Sequence, residues 1–168
     1  YKLDFLSQKL KNFSLVANIT YADSKIKLSQ TEFDSRVLNA REGQVIGEYR
    51  DMAGQAPYII NGGIRFDGGE KGFAKKLEIG VYYNVQGQTL QFAGIVDRPD
   101  IYTVPFHSFN LNINKTFGKE ENMRFGIKAS NLLNDKKELV FKSFNAEDQY
   151  FSSLTIGSSI SLRFSYNF

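Results

Sequence analysis

The stretch Leu154-Thr155-Ile156-Gly157-Ser158-Ser159-Ile160-Ser161-Leu162-Arg163-Phe164-Ser165-Tyr166-Asn167-Phe168 alternates between apolar and polar side chains as far as its final phenylalanine. Its even positions carry Leu154, Ile156, Ile160, Leu162, Phe164, Tyr166 and Phe168, with Ser158 the exception, and its odd positions hold no large hydrophobe. Successive side chains of a β-strand point to opposite faces, so this pattern predicts one long strand with an oily and a wet surface. The aromatic residues gather at one end, where a membrane strand carries its interfacial girdle. An edge strand of a soluble sandwich shares the alternation but has no need to gather aromatics there.

The same period of two recurs upstream. Phe13, Leu15, Ala17, Ile19 and Tyr21 form one apolar row; Tyr58, Ile60, Gly62, Ile64 and Phe66 a second; Leu77, Ile79, Val81, Tyr83 and Val85 a third. Phe109, Leu111, Ile113 and Phe117 follow, then Met123, Phe125, Ile127 and Ala129. Each run is near the nine to eleven residues, roughly, that cross a bilayer as a tilted strand. Tyr1 to Phe5 read as the tail of one more strand. The connections alternate in length: brief polar turns near Ser7 to Lys11, Asp67 to Phe73 and Gly118 to Glu121, against long segments at Ser29 to Ala56, Gly87 to Pro105 and Asn134 to Tyr150. Outer-membrane barrels have this asymmetry, with short periplasmic turns and long extracellular loops. Within the long segments, Thr31 to Ala40 is expected to form a surface helix before Gly43, and Glu138 to Phe144 a loop hairpin of little membrane character.

Composition narrows the function classes. The chain has 168 residues and no cysteine, which excludes disulfides, iron–sulfur ligation and thiol catalysis. No apolar run approaches the roughly 18 residues of a membrane helix, so a membrane reading must rest on strands. The net charge of +3 is spread among interleaved acids and bases, with no basic aromatic stripe for nucleic acid. Tyr1 to Phe5 show no signal-peptide pattern.

The polar rows carry Asn18, Asn61, Arg65, Glu78, Asn84, Asn110, Asn112, Arg124, Lys128 and Arg163. Buried against an apolar core, these groups would suffer heavy desolvation, so they are expected to face a hydrated lumen or a polar plug. An open sheet edge is not tolerated in lipid. The fold expected is therefore all-β: about six to seven antiparallel strands of a transmembrane β-barrel, spanning residues 1–168 and completed by upstream residues or another chain.

Particular segments add a resemblance. Asn39-Ala40-Arg41-Glu42-Gly43-Gln44, then Arg50-Asp51-Met52-Ala53-Gly54-Gln55-Ala56-Pro57-Tyr58-Ile59-Ile60-Asn61-Gly62-Gly63, resemble the late barrel of TonB-dependent receptors of Bacteroidetes-type bacteria. Leu10 to Leu15, Phe109 to Phe117, Ala129-Ser130-Asn131-Leu132-Leu133-Asn134 and the final Phe164-Ser165-Tyr166-Asn167-Phe168 are similar to successive segments of that family's C-terminal third. The resemblance implies an outer-membrane importer of about twenty-two strands in a Gram-negative bacterium. It also implies an N-terminal plug, energy from TonB and uptake of a ligand such as a siderophore, cobalamin or an oligosaccharide. Outer-membrane lipid, the upstream strands and plug, TonB and a surface lipoprotein are the partners it suggests; plug and TonB box are expected upstream. The alternative is a smaller passive or structural outer-membrane barrel. A soluble all-β binding domain is the third reading.

Catalytic signals are weak. His107 is the only histidine, and the adjacent Ser108 must point to the opposite strand face, so no catalytic residue, metal site or cofactor is expected. Asp97-Arg98-Pro99-Asp100 reads as a turn, its carboxylates lacking calcium-loop spacing. Asp67-Gly68-Gly69-Glu70 reads as a hairpin turn, with no Lys-Ser to make a phosphate cradle. Arg36, Arg41, Arg50, Asp97 and Arg98, with Asp51 and Asp100, are the loop candidates for meeting an extracellular ligand, the alternative for each being ordinary solvated loop charge.

Overall fold

A computed structural model describes residues 10–168. Six strands, β1 (Phe13–Tyr21), β4 (Tyr58–Asp67), β5 (Leu77–Gln86), β8 (Phe106–Phe117), β9 (Met123–Ser130) and β12 (Ser159–Tyr166), form one antiparallel sheet in that order. They are 8–12 residues long, longer than the common strand of about five or six. The described residues are all-β apart from the short helix α1 (Gln30–Leu38). No helix among the described residues is long and apolar enough to cross a membrane. The strand read at Tyr1 to Phe5 lies outside the described residues, as does the start of the turn read at Ser7 to Lys11.

Each long connection continues its hairpin beyond this wall. After β1, the chain forms β2 (Lys25–Lys27) and α1 and returns through β3 (Tyr49–Asp51), which pairs with β2. After β5 it forms β6 (Thr89–Phe92), which pairs with β7 (Asp100–Thr103) before β8 begins. After β9 it forms β10 (Lys136–Lys142), paired with β11 (Gln149–Thr155), and then enters β12. β7 also pairs with β10, so β6, β7, β10 and β11 make a second sheet whose order repeats that of β5, β8, β9 and β12. Glu138 to Phe144, read as a loop hairpin, instead supplies most of one strand, β10, of a four-stranded platform, and its hairpin partner is β11.

Register gives the wall two chemically distinct faces, because residues directly opposed in an antiparallel pair share a side. Leu15 opposes Ile64, Ile64 opposes Val81, Val81 opposes Leu111, Leu111 opposes Ala129, and Ala129 opposes Ile160. The five apolar rows and the apolar end of β12 thus merge into one face. On the other face, Asn18 opposes Asn61, Asn61 opposes Asn84, and Asn112 opposes Lys128. The apolar face is uncovered: Leu15 is 79% exposed, Ile19 73% and Ile160 70%. Buried apolar residues concentrate elsewhere. Leu90, Val140, Ala56 and Leu28 lie in the extensions beyond the wall, while Val85 and Ala129 sit at the wall's end.

The terminal stretch departs from the long strand expected of it. The ladder stops between Thr155 and Ser159, where Gly157 adopts φ +79°. That conformation costs an L-residue about 1–2 kcal/mol and glycine little. The break serves a junction built on Asn131, itself at φ 53° and nearly buried. The Asn131 side chain donates to the carbonyls of Asp135 (3.2 Å) and Gly157 (3.1 Å) and accepts from the Asp135 amide (3.2 Å). Its carbonyl accepts from Ser158 Oγ at 2.7 Å, and its amide donates to Asn110 Oδ1. Asp135 Oδ2 in turn accepts the His107 amide at 2.7 Å. Asn131 and Asp135 thus together satisfy backbone groups that the interrupted ladders of β8, β9 and β12 would otherwise leave unpaired.

Glycine admits one close approach on the polar face. The Tyr82 ring lies over Gly63 and Gly80, where a Cβ would come within 2.5 Å and 2.6 Å of it.

Candidate functional site

The helix positions the first part of the site. Ser29 caps α1 by accepting the Glu32 amide at 3.2 Å, and Asn39 closes the other end by donating to the Ser35 carbonyl at 2.8 Å. Glu32 in the first turn and Arg36 in the last complement the helix dipole. The expected helix at Thr31 to Ala40 thus lies at Gln30–Leu38.

Arg36 reaches across to the second long connection. Its Nη2 and Nη1 contact Asp100 Oδ1 and Oδ2 at 2.9 Å and 3.2 Å, a two-point guanidinium–carboxylate pair with both side chains mostly buried. Donation to Asp100 is the main reason the Arg36 pKa lies above its ordinary value, with burial opposing it. Asp100 Oδ1 also accepts the Gly94 amide at 2.6 Å. A side chain at Gly94 would collide with the Arg98 carbonyl, 2.0 Å from an ideal Cβ, so the 94–100 loop closes only over glycine. Arg50 Nε donates to Glu32 Oε1 at 3.1 Å, and Tyr102 donates its hydroxyl to Asp51 Oδ2 at 3.2 Å. Burial, followed by the Asp51 and Asp100 charges, pushes the Tyr102 phenol well up from its usual range.

These contacts, with the pairing of β7 and β10, gather the three long connections around one polar cleft of about 110 Å³. The segment after α1 supplies Arg41 and Gln44, the 94–100 turn supplies Asp97 and Arg98, and the β10–β11 hairpin supplies Lys142 and Phe144. Of the loop residues expected to meet a ligand, Arg36, Arg41, Asp97, Arg98 and Asp100 line this cleft. Arg50 and Asp51 belong to β3 and are engaged in holding the extensions together. Lys142 and Gln44 are additional cleft residues that spacing does not flag, because only tertiary pairing of separate loops brings them there. The Asp97 to Asp100 stretch begins as a turn, with Arg98 N donating to Ile95 O at 3.1 Å, and ends with Asp100 in β7.

A second cleft, of about 630 Å³, adjoins the first and shares Arg41, Asp97 and Arg98 with it. Its floor is the face of the four-stranded platform carrying Phe92, Ile101 and Phe141, which oppose one another in register. Phe151 completes it, edge-on to Phe141 with centroids 5.4 Å apart.

The ten polar residues of the wall share one face by register, and several meet there. Asn84 donates to Asn61, Arg65 pairs with Glu78 at 3.2 Å, and Asn110 donates to Ser108 Oγ at 3.0 Å. Asn112 opposes Lys128, and Arg163 opposes Gly126, which in turn opposes Asn114. Arg124 donates weakly to Thr116, and Asn18 accepts from Thr20. They form a broad polar surface rather than a converging site.

His107 lies on the apolar face, paired with Val85, and Ser108 lies on the other. Its Nδ1 is 2.6 Å from the Tyr83 hydroxyl, at the end of the wall next to the long connections. Lys115, also on the apolar face, lies at the opposite end and turns its ammonium to the carbonyls of Phe73 and Lys75. No protein-family model, curated protein or solved structure matches this chain.

Proposed function

We propose that this chain is the C-terminal wall and loop region of a TonB-dependent outer-membrane receptor, which captures an extracellular ligand and admits it by energised uptake. The observation that carries the reading is the distribution of side chains on the apolar face. Leu15, Ile19, Ile60, Ile64, Ile79, Val81, Leu111, Ile113, Ile127 and Leu162 form an aliphatic band. At one end it is edged by Phe13, Phe66, Phe117, Phe125, Phe164 and Tyr166, and at the other by Tyr21 and Tyr58, with Tyr83 and Phe109 one step inside Val85 and His107. An aliphatic belt with aromatics gathered toward its ends matches the layering of a bilayer. A sheet packed on a second apolar layer has no such requirement. The polar exceptions respect the same layering, since His107 and Lys115 lie at the two ends and bond to groups there.

Closure of the wall belongs to the proposal. Among the described residues β1 pairs only with β4 and β12 only with β9, and in lipid both outer edges need partners. Upstream strands supply them in this reading, together with the plug that the polar face surrounds. The long connections, on the side opposite the short turns, are the ligand-capture surface. The mechanism follows from this sidedness: a ligand settles among the long connections, and TonB-linked movement of the plug opens a path along Asn61, Asn84, Asn112, Lys128 and Arg163. Uptake by intact cells with and without TonB tests the reading. TonB-dependent accumulation of siderophore, cobalamin or oligosaccharide supports it. Equal uptake without TonB makes the protein a passive barrel.

A further inference from the structure

The two adjoining clefts differ in chemistry and share a wall, and that wall carries guanidinium groups. Arg36 is occupied by Asp100, and Lys142 contacts Asp148. Arg41 and Arg98 have no ion-pair partner among the described residues. Both are exposed, and both line the polar cleft and the apolar one. With the two ion pairs set aside, the shared wall holds Arg41 and Arg98 against Asp97, an excess of one positive charge. Guanidinium groups fit carboxylates and phosphates by paired N–H donation. Beyond them lies the aromatic shelf, with Phe92 51% and Phe151 48% exposed.

We infer that these clefts together bind a small ligand bearing an oxyanion next to a flat apolar body. The oxyanion sits between Arg41 and Arg98, and the apolar body lies on Phe92, Phe141 and Phe151. Charge complementarity selects the anionic end, and the position of the two arginines beside the shelf sets the distance to the apolar end. The inference names a ligand class for the capture surface proposed above. It rests on that reading for the ligand's extracellular source, whereas binding is measured without transport.

The test is saturation-transfer NMR on the intact protein in detergent, with benzoate, phenyl phosphate, benzyl alcohol and acetate as probes. Saturable binding of benzoate or phenyl phosphate is expected, with benzyl alcohol and acetate at least tenfold weaker. Whichever of the first two binds more tightly identifies the oxyanion. The double variant Arg41→Ala/Arg98→Ala is expected to weaken the preferred anion at least tenfold, and Phe151→Ala to weaken benzoate while leaving acetate unchanged. Benzyl alcohol binding as tightly as both anions, or no binding by either anion, overturns the inference; this comparison requires no variant. A correctly folded double variant that binds like the parent overturns it as well. Intact probe binding with TonB-independent uptake refutes the receptor reading alone.

Discussion

Arg36 on helix α1 and Asp100 on strand β7, 64 residues apart in sequence, are joined through both guanidinium Nη atoms and both carboxylate oxygens. This pair fastens the first long connection to the second, and both side chains are about one-fifth exposed or less. Asp100→Asn removes the charge and leaves Arg36 without its principal partner. A loss of about 2 kcal/mol is expected from broken charge-assisted hydrogen bonds in a mostly buried setting. Hydrogen exchange checks it: the Gly94 amide should lose protection while amides in the middle of β5 and β8 keep theirs.

Asn131 holds the junction between wall and platform. Asn131→Ala removes three side-chain hydrogen bonds at a nearly buried site and leaves the Asp135 and Gly157 carbonyls short of donors. Destabilisation of about 2–4 kcal/mol is expected in denaturant unfolding. Asn131→Gly suits the positive φ but loses the same bonds, so it should recover only about 1 kcal/mol of that.

Gly94 and Gly69 both occur in turns, yet substitution should affect them differently. Alanine at position 94 meets the Arg98 and Pro99 backbone, which cannot yield without moving the cleft wall. Gly69 has positive φ but open space around an added Cβ. Gly94→Ala is expected to weaken probe binding in the clefts tenfold or more, and Gly69→Ala to leave it unchanged while costing about 1 kcal/mol in stability.

Glu121 links the two short turns through Lys75 at 3.2 Å and Lys76 at 3.5 Å. Hydrogen bonding from Lys75 is the main cause of its lowered carboxyl pKa. A depressed carboxylate contributes stability that is present above its unfolded pKa and is lost as pH falls through the folded value. The contact should therefore persist just below the ordinary glutamate midpoint of about 4.3 and dissolve at still lower pH. Carboxyl-carbon NMR of Glu121 over a pH titration, repeated in high salt to screen the exposed pair, measures this.

The wall was legible in the sequence because a two-residue period is a local property: the five upstream apolar rows, with Ile160 to Tyr166 of the last, fall on one face of the sheet. The short turns at Asp67 and Gly118 and the helix near Gln30 were legible for the same reason, each marked by glycines or a capping serine. The break at Gly157 was not. Alternation runs through it undisturbed, and only the demand of the distant Asn131 for a carbonyl partner explains why the chain turns there. The merging of the apolar rows into one face and the shared cleft were likewise hidden, since register across six strands and the meeting of three loops are non-local. Arg36, Arg41 and Arg98 could be named as loop charge, but that Arg36 is ion-paired while, among the described residues, Arg41 and Arg98 are not depends on contacts between separate loops.

The most direct test of the account is nitroxide scanning of strand β8 at Leu111, Asn112, Ile113 and Asn114, one label at a time, in the intact protein reconstituted in lipid. Labels at 111 and 113 are expected to collide preferentially with oxygen dissolved in the bilayer, and labels at 112 and 114 with a water-soluble nickel chelate. Loss of this alternation, or water-like accessibility at 111 and 113, would contradict the assignment of the apolar face to lipid and with it the receptor reading.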